Sequence, residues 1–419
     1  MKKRVLAMCL AVALVLTCAT FASAAGAPVR FLASGMLSGP NAESGRQVRM
    51  AAEIGEWYIN EVLGGFPSLG GRKVEIVVVD STSDAAQAAA PFEQALSTGN
   101  FSVVVGNPNS SITLVNQPIA EAFQIPQITA SSANIRISQG GFEYTFQLNA
   151  TPGEVIPVQM SFLRYVAEQM GRKPEELRLG NIFADDAWGT DQGRNTRNLF
   201  SEAGFNIVFD QSYNIPTFTD ATPLVTALMN AEVDVLLPSS YPSDLSLIFT
   251  AMGALGFKPL VLGGGAGMTW PSLFADLGPA VNGITSVDGW VWDQRGARES
   301  ESWMVMNAEY ERRFNEFIPG QAGPTLVSIM LAYDAIEKSG SDDPTVIRDT
   351  LRTMNEGNSE WFRVQLGNGS GFDPAQGNRN VNAGAVAMQW QNNRPTAVFP
   401  PDVAASRLLN PATMRPFGE

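Results

Sequence analysis

The chain has 419 residues, 45% hydrophobic and 16% charged, with a formal charge of −13 and no histidine. Without imidazole, a Ser-His-Asp or Cys-His nucleophile pair, a His-ligated zinc and a His-held haem are all excluded. An acidic surface favours solubility, and the basic face that a nucleic-acid partner requires is missing. The length calls for two domains, with no low-complexity linker between them.

The first residues carry Lys2, Lys3 and Arg4, then an apolar run from Val5 to Leu16, then Ala22-Ser23-Ala24. This is the charge, hydrophobic and small-x-small order of a secretory signal, so cleavage is expected after Ala24 and residues 1–24 are assigned to a signal peptide. The run is too short to span a bilayer. Both cysteines, Cys9 and Cys18, lie within residues 1–24, so the mature chain would hold no thiol. Val15-Leu16-Thr17 ahead of Cys18 lacks the small residue expected before a lipidated cysteine, and both cysteines read as apolar filler.

Hydrophobic periodicity then alternates strand and helix. Val29 to Ala33 is a strand, Ser34 to Gly45 a loop, and the next helix presents Val48, Ala51, Ala52, Gly55, Tyr58, Ile59 and Val62 on one face, stopping at Gly64-Gly65. Val74 to Val79 reads as a strand covered on both sides. Asp84 can cap the next helix, which turns Ala85, Ala88, Ala89, Phe92, Ala95 and Leu96 inward. Val103 to Val105, a helix from about Ser111 to Phe123, and a strand around Gln127 to Thr129 follow.

The pattern restarts after Phe146. Helices are expected at Glu154 to Met170, from near Thr190 to Ala203, at Pro223 to Met229 and at Asp244 to Leu255, with strands at Leu179 to Phe183, Phe205 to Phe209, Val233 to Leu237 and Leu260 to Leu262. The chain changes character around Ile284 to Trp292, a long helix pair spans Glu301 to Lys338, and the end is β-rich. The fold class is therefore α/β, two doubly wound parallel-sheet modules in succession.

In such sheets the ligand crevice lies beyond the carboxyl ends of the strands, where strand order reverses. The loops concerned are Ser34 to Ser44, Gly106 to Ser111, Ala130 to Asn134, Ala184 to Gly189, Ser239 to Ser243 and Gly263 to Trp270. Most carry neutral hydrogen-bonding residues, a composition suited to holding a polar molecule more than transforming it. Gly106-Asn107-Pro108-Asn109-Ser110-Ser111 opens a helix, where free N–H groups and the helix dipole favour a carboxylate. The competing reading is that Ser110 or Ser111 simply caps that helix. The Gly-Lys-Ser/Thr ending of a phosphate loop is absent, and Gly263-Gly264-Gly265-Ala266-Gly267 runs into Met268 where a dinucleotide fingerprint needs glycine. Asp185, Asp186 and Asp191 read as helix-capping and turn carboxylates; a glycosidase-like acid/base pair is one alternative and a calcium loop another, although the EF-hand spacing is absent. Trp188 beside them either packs between lobes or covers a ligand, and Tyr241 and Trp270 invite the same argument. Trp290 and Trp292 read as core or hinge packing.

Several segments together resemble the leucine/isoleucine/valine-binding type of periplasmic solute-binding proteins serving ABC transporters. They are Leu37-Ser38-Gly39-Pro40 with Gly45, Ile59-Asn60-Glu61 with Gly64-Gly65, Val77-Val78-Val79-Asp80, Val104-Val105-Gly106 with Ser110 and Ser111, and Ile125-Pro126-Gln127-Ile128. Ala187-Trp188-Gly189, Phe218-Thr219-Asp220 and Phe372-Asp373 with Gly377 continue the series in order. The resemblance implies a type I clamshell joined by three hinge crossings, with lobe one at 25–147 plus about 286–360 and lobe two at 148–285 plus about 361–419. It implies a ligand between the lobes, delivery to an ABC permease, a periplasmic location, a monomer, and no cofactor, metal, nucleic acid or catalytic residue.

By the same resemblance Ser110 would bind a ligand carboxylate, aided by the backbone at Ser131, while Ala133 stands in place of a threonine, with Ser132 as its substitute. Trp188 and Tyr241 would be the aromatic residues of lobe two. Asn109, Ser111 and Gly265 complete the candidate contacts. Gly265 falls where the family places an acid for an ammonium group, and Ser44 where it places an aromatic residue, so an aliphatic amino acid competes with a carboxylate or amide lacking the ammonium. A ligand sensor for a membrane signalling protein, and an exported hydrolase using Asp185 and Asp186, remain as alternatives.

Overall fold

The computed structural model describes residues 26–265 and 267–418. The signal-peptide assignment, including Cys9 and Cys18, lies outside these residues.

Two seven-stranded sheets organise the chain. The first is built on β1 (Val29–Gly35), β2 (Val74–Asp80), β3 (Val103–Gly106), β4 (Gln127–Thr129) and β5 (Thr145–Gln147), in the parallel order β2-β1-β3-β4-β5. The second repeats the order with β6 (Arg178–Ala184), β7 (Asn206–Tyr213), β8 (Val235–Ser239), β9 (Leu260–Gly264) and β10 (Thr285–Asp288), running β7-β6-β8-β9-β10. Each sheet thus reverses direction between its first and third strands, and the crevice rule applies to both.

Helices cover both faces of each sheet. In lobe one, Phe31, Val103 and Val105 pack with the helices Ala42–Trp57, Glu301–Phe314 and Ala322–Ser339, while Leu32 and Val104 face the helices Ala85–Thr98 and Ser110–Phe123. In lobe two, Leu236 and its neighbours Val235 and Leu237 enter opposite cores, as strand alternation requires. The expected cap at Asp84 is present, its Oδ1 accepting from Ala86 N at 2.9 Å. Thr151 and Glu154 form a capping box that starts the helix Pro152–Gln169.

Val74 to Val79 carries helices on both faces, as expected, but it is an edge strand, half-buried over most of its length, with no strand beyond it among the described residues. Two expectations are corrected. The loop expected through Gly189 ends earlier, because Asp186 Oδ1 accepts from Gly189 N at 2.7 Å and starts the helix Ala187–Glu202, which puts Trp188 in its first turn. The C-terminal strands also divide differently. β11 (Gly367–Asp373) and β12 (Arg379–Ala383) join the first sheet, β12 pairing with β5, so the expected lobe-two boundary near 361 is displaced. Only β13 (Val386–Gln391) and β14 (Arg394–Phe399) return to the second sheet, antiparallel on β10, and the third crossing falls at Gly384-Ala385. No local pattern encodes this partition, since it is set by pairing over more than two hundred residues.

Three chain passages join the lobes, and side chains tie them together. Gln365 Nε2 lies 3.5 Å from Asn149 Oδ1 and 3.4 Å from Gly289 O, and Gln294 Nε2 donates to Val364 O at 2.6 Å. Trp290 is buried edge-on against Trp303, with centroids 4.8 Å apart, and Trp292 Nε1 donates to Pro395 O at 2.8 Å. No helix of the described residues is long and apolar enough to cross a membrane.

Gly45 sits where its helix passes the end of β1: a Cβ there would lie 2.2 Å from Met36 O. Alanine favours helix by about 1 kcal/mol, but a backbone collision outweighs that. We expect Gly45→Ala to destabilise the protein by about 1–3 kcal/mol in urea unfolding; equal stability would show that the loop after β1 yields freely.

Candidate ligand cleft

The loops at the carboxyl ends of the two sheets face each other across a cleft of about 540 Å³, mouth included. That suits a small guest.

Lobe one contributes Pro108 and Ser110 from the start of the helix Ser110–Phe123, Ser131 and Ala133 beyond β4, and Gly320 and Gln321. Asn109 settles the question of the cap: its Oδ1 accepts from Ile112 N at 3.2 Å. Neither Ser110 nor Ser111 is therefore used as the cap, and the Ser110 hydroxyl, which accepts from Asn134 N at 3.2 Å, lines the cleft beside the first-turn N–H groups. Ser131 reaches the cleft as well, with its carbonyl accepting from Asn149 Nδ2 at 3.2 Å.

Lobe two supplies Trp188, Tyr241, Gly265 and three polar or small neighbours, Gln192, Gly264 and Asp288. The Trp188 and Tyr241 rings meet at 5.4 Å between centroids and a 59° tilt, forming one aromatic wall. Gly265 takes φ +76°, and a Cβ on it would lie 3.5 Å from the Trp188 ring, so a side chain here would compete with the wall. Gln192 Nε2 is buried without a hydrogen-bond acceptor among the described residues.

Other candidates lie elsewhere. Ser132 is sealed inside lobe one, its hydroxyl donating to Asn107 O at 2.6 Å and 2.7 Å from Thr113 Oγ1, because the chain turns it towards the helix instead of the opening. Ser44 is buried in its own helix and does not line the cleft. Asn109 and Ser111 lie on the seam between the lobes. Asn109 Nδ2 donates to Tyr241 OH at 3.0 Å and lies 3.4 Å from Asp186 Oδ2, while Ser111 Oγ accepts from Ala187 N at 3.2 Å. Asn134 Nδ2 donates to Ala187 O at 2.6 Å and Ile135 N to Asp191 Oδ2 at 3.3 Å. The lobes are closed on one another through these bonds.

The carboxylates separate accordingly. Asp185 accepts from Asn214 Nδ2 at 2.7 Å and Ile215 N at 3.2 Å, and Asp191 pairs with Arg194 at 2.8 Å. Burial pushes Asp186 up, while donors at Gly189, Tyr241 and Asn109 pull it down. Burial likewise raises the Tyr241 hydroxyl well above its ordinary range. Asp288, at the end of β10, is 9% exposed, and burial pushes its carboxyl up to about 7 against backbone N–H bonds from Gly289 and Trp290. Sequence reasoning missed it because β10 was not recognised as a strand; the strand-end rule applied to β10 would have found it.

A two-lobed α/β clamshell with its opening at the strand ends defines a hinge-closing binding fold. The periplasmic binding protein family profile matches residues 28–394, and the chain belongs to that family. It is 25% identical over 389 residues to the Leu/Ile/Val-binding protein homolog 7 of Brucella abortus, covering 89% of this chain and 92% of that protein. Among solved structures it superposes on a leucine-binding protein LivK of Thermotoga maritima (TM-score 0.73, 19% identity, covering 89% and 99% of the two chains). It also superposes on a solute-binding protein of an R. palustris ABC transporter in complex with 4-hydroxybenzoate (TM-score 0.71, 17% identity, 91% and 96% covered).

Two predictions follow from the geometry. Asn109→Asp retains the capping oxygen but sets a carboxylate against Asp186, so the ligand-free closed population should fall, seen as a larger radius of gyration in solution scattering; an unchanged radius would remove Asn109 from the seam. Burial pushes the folded Asp288 carboxyl up to about 7 from an ordinary value of about 4, so its contribution to stability is present below about 4 and lost as pH rises towards 7. Asp288→Asn should therefore gain melting temperature relative to wild type between pH 5 and 8, and parallel pH profiles would contradict this.

Proposed function

We propose that this chain is the extracytoplasmic solute-binding component of an ABC importer, and that its cleft holds an amino acid or a related small carboxylate or amide. The observation that carries this reading is the joint lining of one small cleft by Ser110 at a helix N-terminus of lobe one and by the Trp188–Tyr241 wall of lobe two. The hydroxyl and first-turn N–H groups suit an anionic end, and the aromatic wall suits an apolar body. A solute touching both lobes favours the closed arrangement by its differential affinity, and a permease can then distinguish loaded from empty protein. Relatives bearing Leu/Ile/Val-binding names and a structural neighbour holding 4-hydroxybenzoate support the solute class without choosing within it. The basic, apolar and Ala22-Ser23-Ala24 segments of the N-terminus support export.

Thermal-shift screening against amino acids, amides and aromatic acids tests the reading, because a ligand at 100 times its Kd stabilises by about 2.7 kcal/mol. A hit in at least one of these classes is expected, and silence across all of them would contradict the proposal. With a hit in hand, Ser110→Ala should cost about 1.5–3 kcal/mol of affinity if the hydroxyl bonds a charged group. Equal affinity in a calorimetric titration would leave Ser110 with a structural role alone.

A further inference from the structure

Two residues lining the cleft carry a buried side-chain atom with no hydrogen-bond partner among the described residues: Gln192 at its Nε2 and Gln321 at its Oε1. They come from opposite lobes. Gln192 is 2% exposed and lies one turn after Trp188 on the helix Ala187–Glu202, so its side chain leaves the same helix face as the aromatic wall. A Cβ on Gly264 would lie 2.8 Å from Gln192 Nε2, so the glycine leaves the amide its place at the end of β9. Gln321 is 5% exposed and its main chain is fixed, its N donating to Gln47 Oε1 at 3.1 Å and its carbonyl accepting from Thr325 Oγ1 at 2.7 Å. A buried amide without partners costs about as much as a lost hydrogen bond, and a solute that displaces water from it has to replace the bonds that water makes. A carboxylate answers only a donor and an ammonium only an acceptor, whereas a hydroxyl or a carboxamide answers both.

We propose that Gln192 and Gln321 clasp one neutral group of the solute, a hydroxyl or a carboxamide, which accepts from Gln192 Nε2 and donates to Gln321 Oε1, and that the cleft thereby selects solutes carrying such a group over the same molecules without it. This rests on the reading of the cleft as a small-solute site and narrows it. The anionic end of the solute lies at Ser110, its apolar body against Trp188 and Tyr241, and its neutral polar group at the amide pair, which joins the lobes without adding a charge. The preference follows from what an unsubstituted solute leaves behind: it buries both amides unpaired, and a site built to bond a hydroxyl rejects the analogue lacking it far more strongly than an apolar pocket rejects an added methylene.

The test is calorimetric titration of the purified protein with matched pairs: 4-hydroxyphenylacetate and phenylacetate, L-tyrosine and L-phenylalanine, L-glutamine and L-methionine. The wild type should bind the hydroxyl or carboxamide member of at least one pair roughly ten- to a hundred-fold more tightly than its plain partner, the range expected when a buried group loses its bond. Gln192→Met, close in volume but without the amide, should reduce that preference to about twofold or less while the plain member binds at least as tightly as before. Equal or stronger binding of the plain member by the wild type would overturn the clasp while leaving the small-solute reading intact, and it requires no variant to fold. A preference that persists undiminished in folded Gln192→Met or Gln321→Met protein would overturn it too. If no pair binds, the same comparison is made on the strongest hit of the wider screen of acids and amides, and a hit with neither hydroxyl nor carboxamide overturns the clasp. Silence across that whole screen contradicts the small-solute reading itself.

Discussion

The structure depends on one topological constraint: in each seven-stranded sheet the strand order reverses between the first and third strands, so the loops leaving β1 and β3 diverge around a crevice, as do those leaving β6 and β8. Setting the two crevices face to face gives a single opening bounded by strand ends and helix starts. Backbone N–H groups unsatisfied within their own helices therefore collect at that opening, and residues of unlike chemistry meet there without sharing a lobe. Ser110 and Trp188 are each in the first turn of a helix that starts at the opening, one in each lobe.

Closure is a balance between seam and guest. The bonds from Asn109 to Tyr241 and from Asn134 and Ile135 to the segment around Asp191 hold the lobes together with neutral or single-charge contacts, each worth only about 1 kcal/mol net when water can replace it. Burial raises Asp186, Asp244 and Asp288 alike, and of these Asp186 meets lobe one through Asn109. Asp244 is answered by Tyr213 OH at 3.0 Å and Asp186 by Tyr241 OH at 2.7 Å. Asp288 has no such side-chain donor among the described residues.

The alternation from Val29 to Leu262 was legible because parallel strands and their covering helices carry local apolar periods, and the crevice rule then singled out the loops that bear Ser110, Ser131, Trp188, Tyr241 and Gly265. Local pattern could not assign caps: three polar residues in a row, Asn109, Ser110 and Ser111, compete for one position, and backbone geometry gives it to Asn109. Nor could it separate Ser131 from Ser132, neighbours whose side chains turn to opposite sides, one to the cleft and one to the core. β10 is only four residues long, which hid the strand end that carries Asp288, and β12 carries the β11–β12 hairpin onto β5 from more than two hundred residues away, so the division of the C-terminal strands follows from tertiary pairing.

The central claim is that a small solute bridges the lobes and holds them shut. In protein expressed from Gly26 onward, which leaves out Cys9 and Cys18, label pairs can be introduced on a chain without other thiols. Gln87 and Pro216 are exposed on opposite lips of the groove at the cleft mouth. Electron-spin distance measurement on Gln87→Cys/Pro216→Cys labelled protein should give a broad, longer distribution without ligand that narrows to its shortest component at saturation. A distribution unchanged by a solute that calorimetry shows to be bound would contradict the account.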